Sequence, residues 1–175
     1  MPEATLPTAR RRHGLAYAVF LLLLAAMLAQ MAWYYPRLPE RMASHFNYAG
    51  QAHAFMPKQE IMKIHLGIAG LMSVVFLLVP MLIVRLPPGM INLPNKDYWL
   101  APERRDHTAR VITGFLVGFG NVMLLFLLVV FREAMRAALM PVPQLSNRMW
   151  VMLILLFGFI IVWTVRFMRA FRMPD

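Results

Sequence analysis

The chain has 175 residues, of which 60% are hydrophobic, and it contains no cysteine. The apolar fraction exceeds the roughly 45–50% of an ordinary soluble domain, and the lack of cysteine excludes disulfides and thiolate metal sites. The formal net charge of +10 lies mainly at the ends of apolar segments, where orientation and anionic headgroups account for it, so no nucleic-acid partner is predicted.

Four long apolar runs dominate the sequence. A bilayer core about 30 Å thick requires roughly 20 apolar residues as a helix, and lipid offers backbone groups no hydrogen-bond partner. The sequence therefore predicts an all-α, integral membrane four-helix bundle that forms a single membrane domain over residues 1–175, with the lipid bilayer as a partner. The predicted spans are residues 14–35, 61–84, 111–131 and 149–165.

The basic residues set the expected orientation. Four spans place both termini on one side of the membrane, and of the 18 Lys and Arg residues eleven fall on that side and seven on the other. Because cytoplasmic segments carry the excess of Lys and Arg, both termini are predicted to be cytoplasmic. Residues 85–110 then form a cytoplasmic loop, and residues 36–60 and 132–148 form two outer loops.

The first outer loop has the most individual sequence, PRLPERMASHFNYAGQAHAFMPKQE. Its prolines end the first helix, Asn47 and Gly50 favour a tight turn, and Pro57 before Lys58 indicates the start of the second helix. Its apolar residues predict an ordered loop that lies against the membrane or the mouth of the bundle.

The polar residues of this loop leave three interpretations open. The first is a satisfied hydrogen-bond network in which His45 and Asn47 hold the turn. The second is a surface that binds an extracytoplasmic peptide or protein. The third is a metal site from His45 and His53 with His65 or Glu40, although zinc needs three or four converging ligands and these spacings match no standard signature. Neither a metal nor a cofactor is predicted.

The spans contain few polar or small-residue patterns. Gly114 and Gly118 form a G-x-x-x-G pair that lets helices approach closely; packing within the bundle is the favoured interpretation, and a homodimer is the alternative. Asn121 lies in the middle of the third span and is expected to face the bundle interior, because hydrocarbon offers an amide no partner. Pro80 is expected to kink the second span.

The chemistry of the spans also bears on the class of function. Asp, Glu and Arg are absent from the four apolar runs, which argues against a proton-coupled carrier. No nucleophile–base pair or acidic metal motif is apparent, so the chain is not predicted to be an enzyme. A small-solute transport component that uses the bundle interior, with Asn121 and the Pro80 kink, is kept as the alternative function.

The segment LPERMASHFNYAGQ (residues 38–51) resembles the bacterial membrane family called domain of unknown function 1648. That family has a loop of the form L-P-x-x-(hydrophobic)-x-x-H-(aromatic)-N-x-x-G directly after its first span. Residues 92–105, NLPNKDYWLAPERR, look like one branch of the same family. The matching positions are Leu38, Pro39, Met42, His45, Phe46, Asn47 and Gly50.

The resemblance implies a non-enzymatic protein of the bacterial inner membrane. The same module begins the SdpI-like proteins, which confer immunity to a secreted toxin and signal its presence, but those proteins have further spans for which this chain has no room. The expected role is to sense or bind an extracytoplasmic peptide or membrane-protein partner in immunity, signalling or an accessory function. The residues expected to contact that partner are Arg41, His45, Phe46, Asn47, Gly50 and His53.

Overall fold

The structure is a computed structural model that describes residues 6–173, with side chains from His13 onward except that of Val84. Four helices are long and apolar enough to cross a membrane, as the sequence predicted. In chain order the elements are α1 (Leu6–Tyr34), a 3-10 turn (Tyr35–Arg37), β1 (Arg41–Phe46), β2 (Ala52–Pro57), α2 (Lys58–Ser73), a π-helical turn (Val74–Leu78), α3 (Val79–Leu82), 3-10 turns (Ile83–Arg85 and Pro88–Met90), α4 (Lys96–Trp99), α5 (Pro102–Ala138) and α6 (Arg148–Ala170).

The all-α expectation is wrong in one respect, because β1 and β2 form a two-stranded antiparallel sheet between α1 and α2. The helix start predicted after Pro57 is confirmed, and α5 begins at Pro102 with proline in its first turn. Other boundaries differ: α5 extends well beyond the predicted span of residues 111–131, because its polar first turns and last turns remain helical outside the apolar run.

α5 is the central helix of the molecule. α1 packs along it, the π turn and α3 pack beside it, and α6 also lies against it. The main core between α1, α2 and α5 includes the fully buried side chains of Phe20, Met27 and Leu124. Met42 of β1 joins the same core, so the β1–β2 hairpin closes this core at what we call the hairpin end of the molecule.

The second membrane helix is interrupted just before Pro80. Proline lacks a backbone N–H, and its ring collides with the carbonyl four residues earlier in a regular α-helix. Here the π turn precedes it, and the Val79 N–H bonds to the Val74 carbonyl five residues back. The Thr113 hydroxyl of α5 donates to the Pro80 carbonyl at 3.4 Å. The wider turn accommodates the proline ring, and α5 supplies a donor at this point.

α6 is attached to α5 through aromatic side chains. Phe115 meets Trp163 and Phe167 edge-on, with ring centroids 5.4 and 5.3 Å apart, and Phe119 lies 5.7 Å from Phe159. No α6 side chain is fully buried. Most of the α6 surface is therefore available to lipid, as its apolar sequence requires.

The end of the molecule opposite the hairpin is closed by the residue after α6. Phe171 is 1% exposed and packs in a second apolar cluster with Leu93, Leu100 and Ile112. Its carbonyl accepts hydrogen bonds from the Trp99 indole at 3.0 Å and from a neighbouring asparagine amide at 2.9 Å. The segment between α3 and α5 thereby packs onto the end of α6.

Candidate functional site: the hairpin

A tight turn joins the two strands of the hairpin. The Gly50 N–H donates to the Asn47 carbonyl, and the Asn47 N–H donates to the Gln51 carbonyl, each at 2.9 Å. Gly50 has a φ of 76°, in the left-handed region that residues with a Cβ avoid. A type I turn followed by one left-handed residue is a common connection between antiparallel strands.

The Asn47 side chain holds this turn from within. Its Oδ1 accepts from the backbone N–H groups of Ala49 at 3.0 Å and Gln51 at 2.9 Å. Its Nδ2 donates to the Gln51 side chain at 3.1 Å. Asparagine commonly stabilises turns by bonding to backbone groups a few residues on. All three bonds lie within the loop, so Asn47 has a structural role that explains its place in the motif.

The turn is joined to the segment between α5 and α6. The Leu145 N–H donates to the Gly50 carbonyl at 2.8 Å, and the Ala52 N–H donates to the Pro143 carbonyl at 3.3 Å. Gln51 and Gln144 form an antiparallel bridge between these two bonds. An isolated β-bridge with two flanking hydrogen bonds therefore joins the hairpin tip to residues 143–145, which come from the second predicted outer loop.

The base of the hairpin is held by Lys58, the first residue of α2. Its ammonium lies 3.1 Å from the Glu40 carboxylate, 3.3 Å from the Leu38 carbonyl and 5.2 Å from the centre of the Tyr35 ring. The Lys58 N–H also donates to the Glu40 carbonyl at 2.9 Å. The Lys58 side chain is 13% exposed but that of Glu40 is 84% exposed, so water screens the ion pair and the Lys58 contacts act mainly by fixing geometry.

The hairpin has two faces, and its strand pairing is irregular near His45. Ala43 pairs with Phe55, His45 with Ala54 and Phe46 with Ala52, so Ser44 lies outside the pairing on β1. On one face Met42 is buried in the core. The other, which we call the exposed face, presents the side chains of Arg41, His45, His53 and Phe55.

The exposed face carries cationic, imidazole and aromatic groups close together. The rings of His45 and His53 lie 6.1 Å apart, and the His45 Nδ1 is 3.2 Å from the Ser44 hydroxyl. The Arg41 guanidinium donates to the Phe55 carbonyl at 3.1 Å, across the two strands. Beside this face, Tyr48 at the hairpin tip is 87% exposed.

Comparison with known proteins identifies this part of the chain. The family model described as Domain of unknown function (DUF1648) matches residues 21–69. The chain carries a DUF1648 domain. The match runs from within α1 through the hairpin into α2, so it confirms the resemblance inferred from residues 38–51. No curated protein and no solved structure matches the chain.

The structure brings half of the predicted contact residues of the DUF1648 domain together. Arg41, His45 and His53 share the exposed face. Phe46 is partly buried, and Asn47 and Gly50 build the turn. The motif therefore specifies mainly the shape of the hairpin, and His45 is its one predicted contact residue on the exposed face.

A metal site with His65 or Glu40 does not form around the DUF1648 histidines. His65 is buried in α2, where its Nδ1 lies 2.6 Å from the Ile61 carbonyl and its ring packs on Phe131. Glu40 pairs with Lys58 at the base of the hairpin. Within residues 6–173 no three His, Cys, Asp or Glu side chains are grouped so as to hold a metal ion.

The predicted polar and packing residues of the third span lie on α5. The Asn121 Nδ2 donates to the Ala16 carbonyl of α1 at 3.1 Å. Gly114 faces His13 of α1, and Gly118 faces Trp163 of α6, where an added Cβ would lie 2.9 Å from the indole ring. The two glycines thus lie against two different helices of the same chain.

Sequence reasoning missed the contribution of the 143–145 segment to the DUF1648 hairpin. The signal available was Pro141 and Pro143, which favour an extended backbone around them. An extended stretch does not identify its pairing partner, because that partner lies far away in the sequence. Tyr48 and Phe55 are exposed and do not pack in the bundle mouth, and their contact with the membrane stays a prediction.

Proposed function

We propose that this chain is a non-enzymatic protein of the bacterial inner membrane, related to the SdpI type, that binds an extracytoplasmic peptide or partner protein through the exposed face of its hairpin. Its termini are cytoplasmic on this proposal, and the binding event serves immunity, signalling or an accessory role. The observation that carries the proposal is the combination of a hairpin fastened at its tip, base and buried face with an exposed face rich in His, Arg and aromatic groups.

The contacts of the hairpin support a binding role. A loop held in its bound conformation loses less conformational entropy on binding than a free loop does. The hydrogen bonds of Asn47, the bonds from Gly50 and Ala52 to the 143–145 segment, and the Lys58 contacts all restrict the hairpin. Aromatic and arginine side chains, such as Phe55 and Arg41, are the types that most often dominate binding energy at protein interfaces.

Photocrosslinking in cells tests this proposal. A photoreactive amino acid at Tyr48 reports on molecules that contact the hairpin tip, and adducts are identified by mass spectrometry. The expected result is a discrete peptide or protein adduct that is lost in His53→Ala. His107→Ala is the matched control, because His107 is also exposed but lies on α5 toward the opposite end. Adducts to lipid alone, or a protein adduct unchanged by His53→Ala, contradict the proposal.

A transport component is the second candidate, and the buried side-chain oxygen of Asn121 is the observation that favours it. Its Oδ1 has no hydrogen-bond partner among the described residues, although its Nδ2 is bonded to α1. An unpaired buried acceptor is costly, and such groups inside membrane helices often contact a solute. Solute flux into liposomes that is lost in Asn121→Ala supports transport. Equal flux for the variant and the wild-type chain removes this residue from any transport mechanism.

A further inference from the structure

Three basic side chains from three helices meet at the end opposite the hairpin. His13 of α1, Arg110 of α5 and Arg166 of α6 line one cavity of about 220 Å³. The rings of Phe115 and Trp163 form its apolar wall. Among the side chains that the structure describes, no Asp or Glu lines this cavity. Within that part of the chain the site therefore combines positive charge with an apolar wall and has no acidic side chain to balance it.

The basic groups of this cavity are free to bind a ligand. Among the described residues, the ion pairs involve other basic residues, and neither Arg110 nor Arg166 has a carboxylate within 4.0 Å. Guanidinium groups offer several N–H donors in a planar fork that fits phosphate oxygens. Neighbouring cations that no carboxylate compensates repel each other, and a bound anion would offset that repulsion.

The position of the three basic residues along the chain sets the depth of the cavity. His13, Arg110 and Arg166 each lie one residue outside the predicted apolar spans 14–35, 111–131 and 149–165. Such residues lie at the level of the phospholipid headgroups, where their charged ends meet phosphate. The cavity opens where phosphate groups are abundant, and its aromatic wall continues toward the hydrocarbon.

Gly114 makes room for the imidazole at this site. An ideal Cβ built on Gly114 would lie 3.4 Å from His13 Nε2, with no other heavy atom outside its own helix closer. A larger side chain there would displace the imidazole from the cavity. This close approach also means that α1 is needed to complete the cavity between α5 and α6.

We propose that this cavity binds the phosphate group of an anionic phospholipid, with Arg110 and Arg166 as its main donors and His13 as a third. The glycerol and upper acyl chain would then lie against Phe115 and Trp163. The group recognised is a phosphodiester or phosphomonoester anion. A soluble phosphoester carries the same group, so the experiment must distinguish it from the lipid. The proposal does not depend on the function of the hairpin.

Native mass spectrometry of the full chain in detergent tests the site, with phosphatidylglycerol and phosphatidylcholine as the lipid probes. We expect phosphatidylglycerol to bind at least about tenfold more tightly than phosphatidylcholine, and Arg110→Gln and Arg166→Gln each to weaken it at least about tenfold, or about 1.4 kcal/mol. Arg169→Gln is the matched control, because Arg169 is an exposed arginine on α6 that does not line the cavity. It should bind like the wild-type chain.

Competition with glycerol 3-phosphate separates the two sources. Displacement of phosphatidylglycerol at millimolar glycerol phosphate shows that the phosphate group alone is recognised; no displacement shows that the lipid is required, and both results retain the site. If a glutamine variant fails to fold, Arg166→Lys should keep most of the binding, and His13→Gln should weaken it. Equal binding of the two lipids, or wild-type affinity in both Arg110→Gln and Arg166→Gln, overturns the proposal.

Discussion

Replacing Gly50 by alanine should detach the hairpin tip from the 143–145 segment. Gly50 has a φ of 76°, and an ideal Cβ at this position would lie 2.7 Å from the Leu145 carbonyl oxygen. Because this oxygen belongs to the backbone, it cannot move aside as a flexible side chain would. The new methyl group therefore disfavours both the left-handed conformation at residue 50 and the contact of the tip with residues 143–145.

The expected cost follows from two separate contributions. An L-residue with a Cβ pays about 1–2 kcal/mol in the left-handed conformation. The clash also breaks the hydrogen bond from the Leu145 N–H to the Gly50 carbonyl, worth about 1 kcal/mol net. Together they amount to about 2–3 kcal/mol, which corresponds to roughly a 30- to 150-fold rise in the open population of the tip.

Amide hydrogen exchange at Leu145 measures this opening directly, because the Leu145 N–H donates to the altered residue. Gly50→Ala should accelerate its exchange by that factor, with little change in the helices. Gly89→Ala is the control, since no heavy atom lies within 4 Å of a Cβ built there. Gly50→Asn separates the two causes: asparagine tolerates the left-handed region but still collides with Leu145. Unchanged exchange at Leu145 in Gly50→Ala would refute this account of the tip.

Three further predictions concern other parts of the chain. Asn47→Ala should destabilise the hairpin by about 1–2 kcal/mol, because two backbone N–H groups lose their side-chain acceptor. Asn47→Asp keeps that acceptor and should be less destabilising. Amide hydrogen exchange at the turn distinguishes the two variants. Gly120→Ala should lower the free energy of unfolding in detergent by about 1–3 kcal/mol, because its Cβ would lie 2.6 Å from a phenylalanine ring. Gly70→Ala should leave that free energy nearly unchanged, because open space surrounds the position of its Cβ. Phe171→Ala should lower the free energy of unfolding by about 3–5 kcal/mol and change the fluorescence of Trp99, whose indole donates to the Phe171 carbonyl. Phe157→Ala, at a lipid-exposed position, should leave both nearly unchanged.

The membrane helices could be predicted because their signal is local and strong. An apolar run long enough to cross a bilayer has few alternatives to a helix. The ends were harder to predict, because the polar residues beyond an apolar run can continue the helix without changing its hydropathy. α5 shows this: its first turns, from Pro102 to Arg110, are polar yet helical, and a capping proline marks where they begin.

The hairpin could not be derived from the same signals. Its strands are six residues long, and β2 alternates alanine and methionine on the partly buried side with His53 and Phe55 on the exposed side. Alanine is a weak marker of a buried strand face, and a register irregularity in β1 breaks the alternation there. The turn residues Asn47 and Gly50 were recognisable, but the pairing of the tip with residues 143–145 depends on contacts between distant parts of the chain.

The division of the hairpin into a turn and an exposed face decides how its function must be tested. Loss of partner binding in Gly50→Ala or Asn47→Ala would show only that the hairpin needs its shape, because both residues act on the backbone. Evidence for contact has to come from side chains whose removal leaves the turn intact. His53 and Phe55 meet that condition, since their side chains project from the exposed face of β2.

Neither His53 nor Phe55 belongs to the L-P-x-x-(hydrophobic)-x-x-H-(aromatic)-N-x-x-G pattern. If the pattern specifies a scaffold, chains that share it can differ at these two positions and bind different partners on the same hairpin. Exchanging His53 and Phe55 between two such chains should then transfer partner preference in the crosslinking assay, whereas exchanging the turn residues should not. Transfer with the turn residues instead would mean that the motif itself contacts the partner.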